Sequence, residues 1–333
     1  MDGTTRYGDL DQRTAGWAAA TMLKYAGAVS VLPKGATLKS MPQNKAQVVK
    51  FRRLVPFSAA STPLVEGVTP NAQRMQYEDV SITMREYGRP VEITDVVQVM
   101  AEDPVLKNAS EMCGDQAGRT VEAVLWGTIK AGTNVTYANG TARTDVNTPI
   151  TLALQRQITR SLKAQKAIKF TSVQDSTPNF GTQAIEAAFL CFSHTNLEGD
   201  IRSMAGFVPT ALYGRRNVIC EYELGAVEDV RYILSPDLDA FIDGGGAYAG
   251  SGVSMITTSG TSADVYPAIY CGKDAYASVA LKGLEAITPM LVDIKPSASN
   301  PLAQRGYVSW KTFLGSGILN QNWLHRAEVA ATN

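Results

Sequence analysis

The stretch from Ser58 to Gln76 constrains this chain more than any other feature. It separates two segments with strand periodicity, and loops beyond about 12–15 residues are uncommon in a compact domain unless they serve a purpose. Over residues 48–57, Val49, Phe51, Arg53, Val55 and Phe57 share one face. Over residues 77–93, Val80, Ile82 and Met84 alternate with Ser81, Thr83 and Arg85. A period of two is the signature of a β-strand, so the region is expected to be a long hairpin. Its tip is rich in Pro, Gly, Ser and Ala, yet carries Leu64, Val65 and Val68. A two-stranded arm is barely stable alone in water. The economical expectation is that a neighbouring subunit holds it, which makes Phe57, Leu64, Val65 and Val68 candidates for inter-subunit contact.

The N-terminal segment raises the same question. Ala15, Ala18, Ala19, Met22, Leu23 and Ala26 fall at helical spacing within residues 11–27, with Trp17 and Tyr25 beside them and Gly27 as a stop. Residues 29–44 follow as an extended arm punctuated by Pro33, Gly35 and Pro42. An apolar helix on such an arm either folds back on its own body or packs on a neighbour. Trp17 and Met22 therefore join the contact candidates.

Beyond the hairpin, a short helix is expected after Thr94 and a long one over 104–131. Asp103 would cap the long helix and Pro104 would stand at its first position. Val105, Ala109, Met112, Val121, Val124, Leu125 and Ile129 would mark its apolar face. Gly114 and Gly118 either weaken it or admit another backbone close by. Residues 150–168 read as a further helix. Strands are then expected at 187–193, 218–224, 227–234, 266–271, 289–294, 306–313 and 318–328, with a helix at 196–203. Gly315-Ser316-Gly317 would join the last two strands. The class is α+β.

Chemistry for catalysis is scarce. The two histidines, His194 and His325, sit in no metal-ligand or base–nucleophile spacing. The run from Gly244 to Gly252 lacks the phosphate-loop lysine and reads as a surface loop. Lys163, Lys166 and Lys169 suit the C-terminal end of a helix as well as they suit phosphates. The four cysteines, Cys113, Cys191, Cys220 and Cys271, are scattered without a CxxC pair and read as reduced, buried thiols. Lys plus Arg and Asp plus Glu both number 31, so no global charge draws nucleic acid. Charged residues are only 19%, below the roughly 25% usual for soluble proteins, which suits a surface made of contacts. No apolar run reaches the roughly 18 residues of a membrane span. No catalytic, cofactor-binding or metal-binding residue is assigned, and no cofactor is expected.

Three blocks carry a family resemblance. They are Thr62-Pro63-Leu64-Val65-Glu66-Gly67-Val68-Thr69-Pro70, then Val265-Tyr266-Pro267 with Gly272-Lys273-Asp274-Ala275-Tyr276, and then Asn300-Pro301-Leu302-Ala303-Gln304-Arg305-Gly306-Tyr307-Val308-Ser309-Trp310-Lys311-Thr312. In that order they resemble the major capsid proteins of tailed bacteriophages, in the family typified by coliphage N-four. The resemblance implies the Hong Kong ninety-seven type capsid fold: an N-terminal arm at 1–46, an extended hairpin loop at 47–92, a peripheral domain with a spine helix at 93–169 and 301–333, and an axial domain at 170–300.

The implied function is structural and non-enzymatic. Copies would assemble as hexamers and pentamers into an icosahedral head enclosing double-stranded DNA, which would touch the inner face non-specifically. Separate scaffolding and portal proteins are implied, with room for a decoration protein and no role for a membrane. Assembly would occur in the bacterial cytoplasm, and the mature location would be the virion. An encapsulin-type nanocompartment shell is the alternative on the same fold; a two-domain enzyme is the rival from another class. One departure stands out. The fold's namesake locks its shell through a hairpin lysine, whereas Ser58 to Gln76 contains no lysine, so a non-covalent shell is expected.

Overall fold

Two β-sheets, and one helix that reaches both, organise the chain. The structure is a computed structural model that describes residues 20–22, 24–25, 30–42, 46–63, 66–67, 69, 71–100, 104–174, 182–214, 217–247, 254–281, 287–292, 294, 296 and 301–333. The elements run β1 (Thr37–Met41), β2 (Val48–Leu54), β3 (Tyr77–Thr83), β4 (Arg85–Thr94), α1 (Asp95–Met100), α2 (Val105–Lys130), β5 (Val135–Tyr137), α3 (Leu152–Ala164), β6 (Phe170–Gln174) and β7 (Thr182–Ser193). They continue with α4 (Glu198–Ser203), β8 (Phe207–Pro209), β9 (Glu223–Val227), β10 (Val230–Leu234), β11 (Val265–Cys271), β12 (Tyr276–Leu281), β13 (Thr288–Val292), β14 (Arg305–Ile318) and β15 (Leu324–Ala330).

The larger sheet has the order β5-β15-β11-β7-β10-β9-β8, with β6 on β7. Its central strands are covered on both faces, so β11, β10 and the second half of β7 are mainly apolar and do not alternate. Leu190, Phe192, Ile233, Ile269 and Cys271 face Val121, Leu125, Trp126 and Ile129 of α2. The intervening residues Phe189, Cys191, Tyr232 and Tyr270 face Leu154, Ile158 and Leu162 of α3. Each such side chain, once buried, stabilises the fold by roughly 1.5–3 kcal/mol.

The smaller sheet has the order β1-β12-β14-β13, with β4 on the other side of β14. The first half of α2 packs against it through Ala109, Cys113 and Ala117, opposite Ile93, Val308 and Trp310. With 26 residues at about 1.5 Å each, α2 is long enough to serve both cores. Its buried stripe excludes Met112, which points outward, because Ala109, Cys113 and Ala117 define the inner row at intervals of four.

Several sequence expectations change on contact with the structure. Residues 77–93 form two strands broken at Met84, since β3 pairs with β2 while β4 leaves to pair with β14. Pro104 precedes the first helical residue instead of occupying it, and Asp103 lies outside the described residues. Gly315-Ser316-Gly317 is no junction: β14 runs straight through it to Ile318. The glycines lie beneath the crossing hairpin, where an added Cβ would come within 2.9 Å of Ile82 Cγ2 at Gly315 and 2.7 Å of Ile82 Cγ1 at Gly317. Gly245 likewise lets Val146 O and Ala263 O approach closely, which gives that part of the glycine-rich run a packing reason. The strands also do not sort by the boundary at 301, because β14 lies in the smaller sheet and β15 in the larger.

Candidate assembly surfaces

The hairpin of β2 and β3 is a sheet of two strands. Near the body its inner face is covered: Val49 and Ile82 are buried with Met41, Met84, Ala277 and Val279, and Phe51 packs alongside. Lys39 lies over the Phe51 ring at 4.9 Å. Farther out, charge takes over. Arg52 donates two hydrogen bonds to Asp79, at 2.8 and 2.9 Å, and Arg53 pairs with Glu78. The Arg52 guanidinium holds the Asp79 carboxyl below its ordinary range. Exposed pairs of this kind contribute little stability and weaken in salt.

The outer half of the hairpin leaves apolar groups in the open. Leu54, Phe57, Met75 and Tyr77 are all half exposed or more. Leu54 and Tyr77 are register partners on the face opposite the buried one. They stand beyond the polar pairs Lys50–Ser81 and Arg52–Asp79 on that face, and Val48 at its base is exposed as well. Of the predicted contact residues, Phe57 stands free for a partner at 56% exposure. Leu64, Val65 and Val68 lie outside the described residues, as does Trp17.

Met22 is placed differently. It is 1% exposed within its own chain, packed with Ala109, Cys113, Ala117 and Trp310. Its backbone lies against Gly114, where an added Cβ would meet Met22 O at 2.5 Å. Of the two alternatives for the N-terminal segment, the described residues 20–22 and 24–25 fold back on the body. Met22 is thus removed from the surface a neighbour can touch.

A cleft of about 660 Å³ opens between β4 and the outward face of α2, lined by Tyr87, Val91, Met112, Arg119, Ala123 and Val124 among others. Val91 and Met112 leave apolar surface exposed there. No sequence signal separated Met112 from the core stripe beside it.

The polar groups singled out earlier have local partners. His194 Nδ1 accepts the N–H of Asn196. His325 bonds Thr136 through Nε2 at 2.7 Å, and burial pushes its imidazole down to about 4. Lys163 and Lys169 both pair with Asp229. All four cysteines are free and buried, and desolvation raises their thiols. Among the described residues, no cluster of three or more His, Cys, Asp or Glu is arranged to hold a metal ion, and no helix is long and apolar enough to cross a membrane.

Comparison with known proteins bears on the surfaces just described. Residues 77–294, more than half the chain, match the family model described as phage capsid protein. The chain belongs to that family. A phage capsid protein has a structural role in the virion capsid, and the α+β architecture agrees with the Hong Kong ninety-seven type fold of the resemblance. Among solved structures, the chain is similar to one in the capsid of Ralstonia phage GP4, with a TM-score of 0.65 and 13% identity over 93% of this chain and 91% of that one. It is similar to a chain of the cyanophage P-SCSP1u capsid, at 0.59 and 13% over 91% and 88%. It also resembles a chain in the head of Helicobacter pylori bacteriophage KHP40, at 0.59 and 11% over 92% and 89%. No curated protein matches the sequence.

Proposed function

We propose that this capsid protein self-assembles as hexamers and pentamers into an icosahedral head around double-stranded DNA, in the host cytoplasm, with hairpin contacts between neighbours. The observation that carries this reading is the hairpin itself: two strands whose outer half exposes Leu54, Phe57, Met75 and Tyr77. A surface of this kind gains stability only by burial against another molecule. Rigid bodies can carry the contacts that close into rings, and extensions can absorb the differences between rings. Here the adaptable parts are the arm (1–46) ahead of β1 and the β2–β3 portion of the hairpin loop (47–92), since β1 and β4 are strands of the smaller sheet. The smaller sheet and α2 form the peripheral body, and the larger sheet the axial one. Phe57 is the described inter-subunit candidate, with Trp17, Leu64, Val65 and Val68 proposed from sequence alone. Scaffolding, portal and any decoration protein would be separate chains.

Deleting residues 58–75 tests the reading. A folded, soluble protein that forms no stable shells is expected. Normal particles from the deletion would refute the role of the hairpin. Denaturing electrophoresis of intact particles should show this chain as a band at its monomer mass of 35.7 kDa, whereas a covalent ladder would contradict a non-covalent shell. Packaged DNA in those particles, and not a cargo enzyme, separates a phage head from a nanocompartment.

A further inference from the structure

Glu122 is an ionisable side chain with no exposure at all, in the middle of α2. What faces it is the base of the N-terminal arm. Its carboxyl accepts the N–H of Leu32 at 3.0 Å and that of Val31 at 3.2 Å, and Ser30 Oγ lies 3.5 Å away. Val31 and Leu32 are themselves fully buried against Val121, Leu125 and Phe192. From the other side Tyr276 donates its O–H to Leu32 O at 2.6 Å. The arm's base is thus gripped through its backbone, at a single point, before β1 begins.

The remaining groups around Glu122 do not neutralise it. Asp237 acts on it as a like charge and is itself 3.8 Å from Arg119. The Tyr276 hydroxyl and the Cys220 thiol are the other titratable neighbours, and Lys34 acts on Cys220. Among the described residues, no Lys or Arg forms an ion pair with Glu122. An ionised carboxylate without a cation partner is costly to bury, whereas a protonated one is far less so. Hydrogen bonds from the arm recover part of that cost and leave the rest.

We propose that Glu122 is a proton-controlled latch on the N-terminal arm, and that docking of residues 30–36 takes up a proton. The direction follows from linkage. Burial raises the docked carboxyl to about 7 from an ordinary 4.5. A raised acid favours the docked state at low pH, and that advantage is lost as pH rises through 7. The arm base therefore holds tightly under mildly acidic conditions and loosens under alkaline ones. Between pH 8.5 and pH 6 these two values make the docking constant rise about tenfold.

Hydrogen exchange on the unassembled full-length chain, corrected for intrinsic exchange rates, reads this directly. Amides of residues 30–36 should lose about tenfold in protection from pH 6 to pH 8.5, while β11 stays unchanged as an internal reference. In Glu122→Gln the profile of residues 30–36 should be flat. A flat wild-type profile, an unchanged slope in Glu122→Gln, or a parallel loss in β11 would each overturn the latch. If Glu122→Gln does not fold, Asp237→Asn asks the same question. Removing that like charge should move the midpoint to lower pH, and a midpoint that stays put would refute the proposal. Shell assembly plays no part in the readout, so failure here leaves the hairpin reading standing, and the reverse holds too.

Discussion

Replacing Gly114 with alanine should destabilise the chain, although the same exchange in an ordinary helix stabilises it. In a helix interior alanine is favoured over glycine by about 1 kcal/mol. At Gly114 that gain meets a backbone. The new Cβ would sit 2.5 Å from Met22 O and 2.9 Å from Met22 Cα, and main-chain atoms cannot swing aside as the end of a side chain can. Forcing the methyl in costs roughly 1–3 kcal/mol of overpacking. Undocking the segment instead forfeits the burial of Met22, which is 1% exposed, at roughly 1.5–3 kcal/mol. Over most of their range both costs exceed the propensity gain, so a net loss of up to about 2 kcal/mol is expected. The same helix supplies the control. A Cβ on Gly127 would meet nothing within 4 Å, so Gly127→Ala should stabilise by about 0.5–1 kcal/mol. Urea titration of the unassembled protein would compare the two variants. Equal stabilisation by both would refute the reasoning and mean that the N-terminal segment does not rest on Gly114.

Three further substitutions probe the hairpin seat and the cost of breaking ion pairs. Gly317→Val would drive a side chain into Ile82, whose Cγ1 and Cδ1 lie 2.7 and 2.8 Å from a modest Cβ. The hairpin base should lift, and limited proteolysis within residues 55–76 should accelerate while β11 stays protected; an unchanged cleavage rate would count against that seat. Glu328 has no exposed side-chain surface and pairs with both Arg143, at 2.7 and 2.8 Å, and Arg326. Glu328→Gln leaves two cations facing a neutral amide and should cost about 3–5 kcal/mol, seen as a lowered thermal midpoint. Asp79→Asn, which breaks an exposed pair, should leave that midpoint nearly unchanged, and equal effects would show that burial does not set the cost.

The elements themselves were largely legible in the sequence. The long helix was expected over 104–131 and spans Val105–Lys130, because one apolar face recurs for seven turns. The hairpin was legible because alternation on either side of Ser58–Gln76 has a period that no helix shares. What was not legible depends on partners distant in sequence. Gly315 and Gly317 look like a turn until Ile82 is placed over them. β15 belongs with β11 and β5 only because the sheet order carries it there. Met112 and Ala109 are equally apolar in a list, and only the helix rotation sets one outward. Glu122 carried no signal at all, since a glutamate in a helix is ordinarily solvated.

The hairpin and the body draw their order from different sources. The larger sheet is closed on both faces by side chains of its own chain, so its geometry is fixed before any neighbour arrives. The hairpin has one covered face, and only near its base. Beyond Phe51 and Val80 its strands are joined by ladder hydrogen bonds and exposed ion pairs, which hold two strands together without fixing the angle at which they leave the body. That angle is set where Ile82 crosses Gly315 and Gly317 and where the chain passes through Met84 into β4. Copies occupying unlike positions in a shell would then share one body and differ at this crossing. Bulk added there should change which assemblies form before it changes whether the body folds.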